Sequence, residues 1–201
     1  MDNSKKEGGI VQLVVVLGLI TFLCALILGV INGVTKDKIA QNAVETRNAA
    51  MAENIPDADF EDMDVNLSAE DVAAAGVSLP AGRTAAAITG VYKATKDGAD
   101  AGYCVEVGPT GFGGAVDTMV GIDGDGKVTG ISVISASSET PGLGARSTEP
   151  EFQAQFADQV GTEVAVAKDG GSIDALTGAT ITSRAVSEGV VAAAQFAAEQ
   201  G

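Results

Sequence analysis

Residues 10–34 are 25 consecutive positions without a charge, and few architectures can house such a segment. A bilayer core needs about 20 apolar residues in a helix, so the segment predicts a transmembrane span. Its polar members are Gln12, Thr21 and Asn32. A cleaved signal peptide has an apolar run of about 7–15 residues followed by a small-residue cleavage site. This run is longer and no such site follows it. Lipoprotein processing is also disfavoured, because Leu23 and not a small residue precedes Cys24. Lys5 and Lys6 precede the span, and Lys36, Lys38 and Arg47 follow it, so the charge tally does not orient the chain.

Composition removes several kinds of chemistry. The chain of 201 residues has no His, so imidazole catalysis and His-ligated haem or zinc are excluded. Its two cysteines, Cys24 and Cys104, are too few for an iron–sulfur cluster with four protein ligands. If the chain handles electrons, an organic cofactor must carry them. A net charge of −15 repels phosphate backbones and predicts no nucleic-acid partner.

Four segments follow from the patterning: an N-terminal tail at 1–9, the span at 10–34, a juxtamembrane helix and acidic linker at 35–84, and a domain at 85–201. In the linker, Ser68 with Asp71 three residues on predicts a helix start. From 85 the pattern is β-like. Strands are predicted at 85–95, 101–107, 115–122 and 127–135. Tyr103, Val105 and Val107 share one face of the second. Asp123-Gly124-Asp125-Gly126 reads as a hairpin turn. An EF-hand loop beginning at Asp123 would need Glu at its twelfth position, which is Ile134. Residues 149–157 predict a short helix and 163–167 a strand. Residues 183–199 predict an amphipathic helix with Val186, Val190, Ala193 and Ala197 on its apolar stripe. The fold class is therefore α+β: an N-terminal transmembrane helix, then a mainly antiparallel sheet with flanking helices.

The segment Asp174-Ala175-Leu176-Thr177-Gly178-Ala179-Thr180 stands directly before that last helix. Gly178 and Ala179 are small enough to let backbone N–H groups approach a ligand. Thr180 falls at the helix start, where unpaired N–H groups and the positive dipole end favour an anion. A phosphate ester on Thr180 suits this place. So does the plainer reading that Thr180 and Thr182 cap the helix.

Three motifs in order carry a family resemblance. Residues 174–180 resemble the D-x-x-(S/T)-G-A-(T/S) attachment motif of covalent FMN-binding domains. Glu139-Thr140-Pro141-Gly142-Leu143-Gly144 is similar to the E-T-P-G-L-G loop of that family, and Thr110-Gly111-Phe112-Gly113-Gly114 to its glycine-rich loop. With a single N-terminal span, the pattern resembles the G subunits of Rnf-type ion-translocating complexes. The related C subunits of sodium-pumping NADH:quinone reductases are usually longer between span and domain. The resemblance implies FMN held by a phosphoester to Thr180 and placed there by an ApbE-type flavin transferase. It implies a site formed by Asp174, Thr177, Gly178 and Ala179 around the attachment. Glu139, Thr140, Pro141, Gly142, Leu143 and Gly144 are implied to line the isoalloxazine ring. It further implies an extracytoplasmic domain, and electron transfer with other membrane subunits of the complex. A stand-alone extracytoplasmic FMN carrier would share the same motifs. Many relatives have His before the Glu of this loop. Ser137 and Ser138 stand there in this chain.

Overall fold

The computed structural model describes residues 4–75 and 86–200. Residues 1–3 of the expected tail, the Pro80 end of the expected linker, and Ala85, the expected start of the first strand, lie outside them. The chain forms two compact units, Met1–Glu45 and Thr46–Gly201. Helix α1 (Ser4–Asn54) carries the uncharged segment, whose large side chains from Val11 to Val34 are exposed. The Thr21 hydroxyl donates to the carbonyls of Leu17 and Gly18, both at 3.0 Å. A polar side chain is thereby satisfied within the helix, as an apolar surrounding requires.

The second unit is built on a five-stranded antiparallel sheet whose spatial order is its sequence order. The strands are β1 (Asp59–Asp62), β2 (Ala87–Lys96), β3 (Ala99–Gly108), β4 (Asp117–Ile122) and β5 (Val128–Ser135). The acidic stretch read as linker thus supplies an edge strand: Asp59 pairs with Thr95 and Asp62 with Tyr92. It also contains helix α2 (Ala69–Ala74). Here Ser68 and Asp71 form the anticipated reciprocal cap, with Asp71 N–H on Ser68 Oγ and Ser68 N–H on Asp71 Oδ2. Asp123 closes the β4–β5 turn, its Oδ1 accepting from the N–H groups of Asp125 and Lys127.

β3 is buried on both faces. Tyr103, Val105 and Val107 face the larger core with Ile88, Val91 and Val120. Helix α4 (Thr180–Gln200) closes that core through Val186, Val190, Ala193 and Ala197. Short helix α3 (Pro150–Gln153) and the turn after it add Phe152 and Phe156, edge to face at 5.4 Å. On the opposite face, Cys104, Met119 and Tyr92 pack with Ala50, Met51 and Ile55.

Residues 163–167 are not a strand. They run between two short 3-10 turns, Gly161–Glu163 and Ala167–Asp169, with a single parallel bridge from Val166 to Ile173. Val164 and Val166 are buried, as alternation requires. The chain then reverses at Gly170, in the left-handed region at φ 91°, which leaves no length for a ladder.

Candidate functional site

Three loops converge at the start of α4. In the first, Gly111 N–H donates to the Gly114 carbonyl and Val116 N–H to that of Pro109, closing a tight glycine-rich bend. In the second, Leu143 N–H donates to the Thr140 carbonyl across Pro141 and Gly142 (φ 76°). This is a turn with Pro second and a positive-φ Gly third. In the third, Ala179 N–H donates to the Leu176 carbonyl across Thr177 and Gly178 (φ 80°), a turn of the same kind.

The last turn is stitched to the helix it precedes. Leu176 N–H donates to Ser183 Oγ, whose own hydroxyl donates to the Ala179 carbonyl. Ser183 N–H reaches the same carbonyl at 3.0 Å. The amides of Thr180, Ile181 and Thr182 come before that bond, at the end of the helix where an anion is favoured.

Glu139 sits among the three loops with 4% of its surface exposed. Its Oε1 accepts from Gly113 N–H at 2.8 Å and its Oε2 from the Thr182 hydroxyl at 2.7 Å. The carboxylate leaves no room for a side chain on two neighbours. A Cβ on Gly111 would lie 2.4 Å from one of its oxygens, and on Gly144 1.8 Å from the other.

Beside it opens a cavity of about 310 Å³. Glu139, Thr140, Leu143 and Gly144 line it from the second loop, and Gly178, Ala179 and Thr180 from the third. Phe112, Ile181 and Thr182 complete the wall. Glu139 is the one ionisable group among these lining residues. Phe112, Leu143 and Ile181 form an exposed apolar rim.

Seven of the residues expected at the site therefore meet at one cavity. Pro141, Gly142, Asp174 and Thr177 are not in its wall. Pro141 and Gly142 shape the second loop from outside. Asp174 is held through its backbone, its N–H and carbonyl both meeting the Gln155 side chain. Thr177 is exposed at the turn. Ile181 and Thr182 have no counterpart in the sequence reading of the site. Thr182 is no cap, since its hydroxyl turns inward to Glu139. No local pattern signals that contact, because its partner lies 43 residues away.

Residues 111–195 match the FMN-binding domain family. Over nearly the whole chain the sequence is similar to the G subunit of the Na(+)-translocating ferredoxin:NAD(+) oxidoreductase complex of Acetobacterium woodii. The identity is 36%, covering 94% of each chain. It is 31% identical to the G subunit of the proton-translocating ferredoxin:NAD(+) oxidoreductase complex of Clostridium ljungdahlii, covering 94% of this chain and 92% of that one. To the G subunit of the ion-translocating oxidoreductase complex of Methanosarcina acetivorans it is 34% identical, covering 100% and 99%.

Proposed function

We infer the function from one premise: the chain belongs to the family of G subunits of ion-translocating oxidoreductase complexes. It is an electron-transfer subunit of such a membrane complex, anchored by the apolar helix α1 and carrying an FMN-binding domain. The neighbours it exchanges electrons with are other subunits of the complex. FMN supplies the one- and two-electron chemistry that a chain without His, and with Cys104 buried, cannot supply from side chains.

The finer reading is that FMN is esterified to Thr180. The cavity fits that group: its apolar rim suits a planar ring, and the start of α4 suits a phosphate. One observation carries the choice of residue. Among the four neighbouring hydroxyls, those of Thr182 and Ser183 are buried and donate to Glu139 and the Ala179 carbonyl. Thr177 stands outside the cavity wall. Thr180 lines the wall and is only half-buried. In the transfer, the Thr180 hydroxyl oxygen bonds to the flavin-side phosphorus of FAD. The phosphoanhydride breaks, AMP leaves, and the hydroxyl proton is released. A flavin transferase of the ApbE type catalyses this step. The ester retains the cofactor in a shallow site without altering the ring.

Coexpression with a flavin transferase tests the assignment. The wild-type chain is expected to show flavin fluorescence that survives denaturing electrophoresis. Thr180→Ala loses it, while Thr180→Ser keeps most of it because the hydroxyl is the nucleophile. Covalent flavin on a folded Thr180→Ala protein would overturn the assignment. The same reading puts the domain outside the cytoplasm.

A further inference from the structure

We propose that Glu139 is a positioning residue that holds the flavin cavity together and fixes a negative charge in its wall, and so keeps the flavin hard to reduce. The proposal rests on the reading of Thr180 as the attachment site and assigns Glu139 a role other than simple contact with the ring.

The geometry separates holding from contact. Both oxygens of Glu139 are engaged by protein donors on different elements, Gly113 N–H on the glycine-rich loop and the Thr182 hydroxyl on α4. A carboxylate accepts both bonds and needs no proton of its own to do so. Gly111 and Gly144 lie so close to it that a side chain on either would push the carboxylate out of its two hydrogen bonds. Glu139 therefore determines how near the first loop comes to the helix start. The contact agrees with the rotation of the helix that its buried stripe at Val186, Val190, Ala193 and Ala197 fixes. Residues two apart on a helix point about 200° from each other. With Thr182 held inward, Thr180 turns toward the open side of the cavity.

The charge has its own consequence. Each electron that a bound flavin accepts from a neighbouring redox subunit adds negative charge to the cavity unless a proton follows. A fixed carboxylate in the wall opposes that gain, and poor screening inside a protein strengthens the opposition. Transfer of FMN to Thr180 moves no electrons, so loss of this carboxylate can shift the potential without abolishing attachment.

The test uses the full chain in detergent after coexpression with a flavin transferase. It compares wild type, Glu139→Gln, Thr182→Val and Thr180→Ala. Covalent flavin is read by in-gel fluorescence, midpoint potential by dithionite titration, and ring exposure by acrylamide quenching. Glu139→Gln and Thr182→Val are both expected to keep covalent flavin. Thr182→Val alone should show stronger quenching, because it breaks the link between loop and helix, whereas the amide of Glu139→Gln still accepts from Gly113 N–H and can donate to the Thr182 hydroxyl. Only Glu139→Gln is expected to shift the potential upward, because only it removes the charge. A general loss of packing would move both variants alike. An unchanged potential in Glu139→Gln, or an equal rise in Thr182→Val, overturns the proposal while leaving Thr180 in place. A wild-type chain without covalent flavin, or a flavinylated Thr180→Ala, overturns the reading beneath it.

Discussion

Leu143 is 41% exposed and leans over the third loop, where a Cβ on Gly178 would meet its Cδ2 at 3.0 Å. A large apolar side chain left this open at a cavity mouth suits a cover over one face of a ring. Replacing it with Ala admits water. Water favours the charged, reduced flavin, so the midpoint potential of Leu143→Ala should rise while covalent flavin persists. Fluorescence in denaturing gels and a redox titration read the two separately. Loss of attachment in a folded variant would show that this loop does more than cover the ring. Asp117 lies at the start of β4, and burial, followed by the nearby charge of Glu106, raises its carboxyl pKa above the usual value. A raised pKa in the folded state means that the fold prefers the protonated acid. The stability from this group is then full below about pH 4 and lost as pH rises through the folded value. Asp117→Asn should accordingly melt at a higher temperature than wild type at pH 7, and the difference should vanish near pH 3.5. Melting curves at the two pH values decide it.

At the scale of elements, Phe156 ties the short α3 segment to the sheet. It is fully buried and meets Phe152 edge-on. Phe156→Ala should lower stability by about 3–5 kcal/mol, measured by urea denaturation of the detergent-solubilised chain. Elements held by their own periodicity were legible in the sequence. The alternation of Tyr103, Val105 and Val107 locates β3, and the spacing of Val186, Val190, Ala193 and Ala197 locates α4. Elements that depend on a distant partner were not. β1 is three acidic residues around Phe60, and it becomes a strand through its pairing with β2. Charged residues on such an edge also discourage pairing with other chains. Residues 163–167 alternate as a strand does but find no neighbour to form a ladder. The same limit applies to the site. The turns at Pro141-Gly142 and Thr177-Gly178 could be read locally. The inward turn of Thr182 toward Glu139 could not.

At the scale of the whole molecule, the side of the membrane on which the second unit lies is open to a direct measurement. Asp59 is exposed at the start of β1 and is a suitable place for a single reporter thiol. The native thiols interfere little. Cys104 is buried and its pKa is pushed up to about 12, while Cys24 lies in the apolar segment. An Asp59→Cys chain should react with a membrane-impermeant maleimide on intact cells. Reaction only after lysis would place the domain in the cytoplasm.

The order of the strands has a further consequence in time. As the chain is synthesised, β2 through β5 each find their sheet neighbour already made, so the sheet can grow hairpin by hairpin. Part of its larger apolar face, the part covered by Val186, Val190, Ala193 and Ala197, nevertheless stays bare until α4 emerges. The helix that closes the core is also the one that begins with Thr180. A ribosome-bound chain that has not yet released α4 therefore lacks both a finished core and the hydroxyl proposed above to receive the cofactor, and the two arrive together.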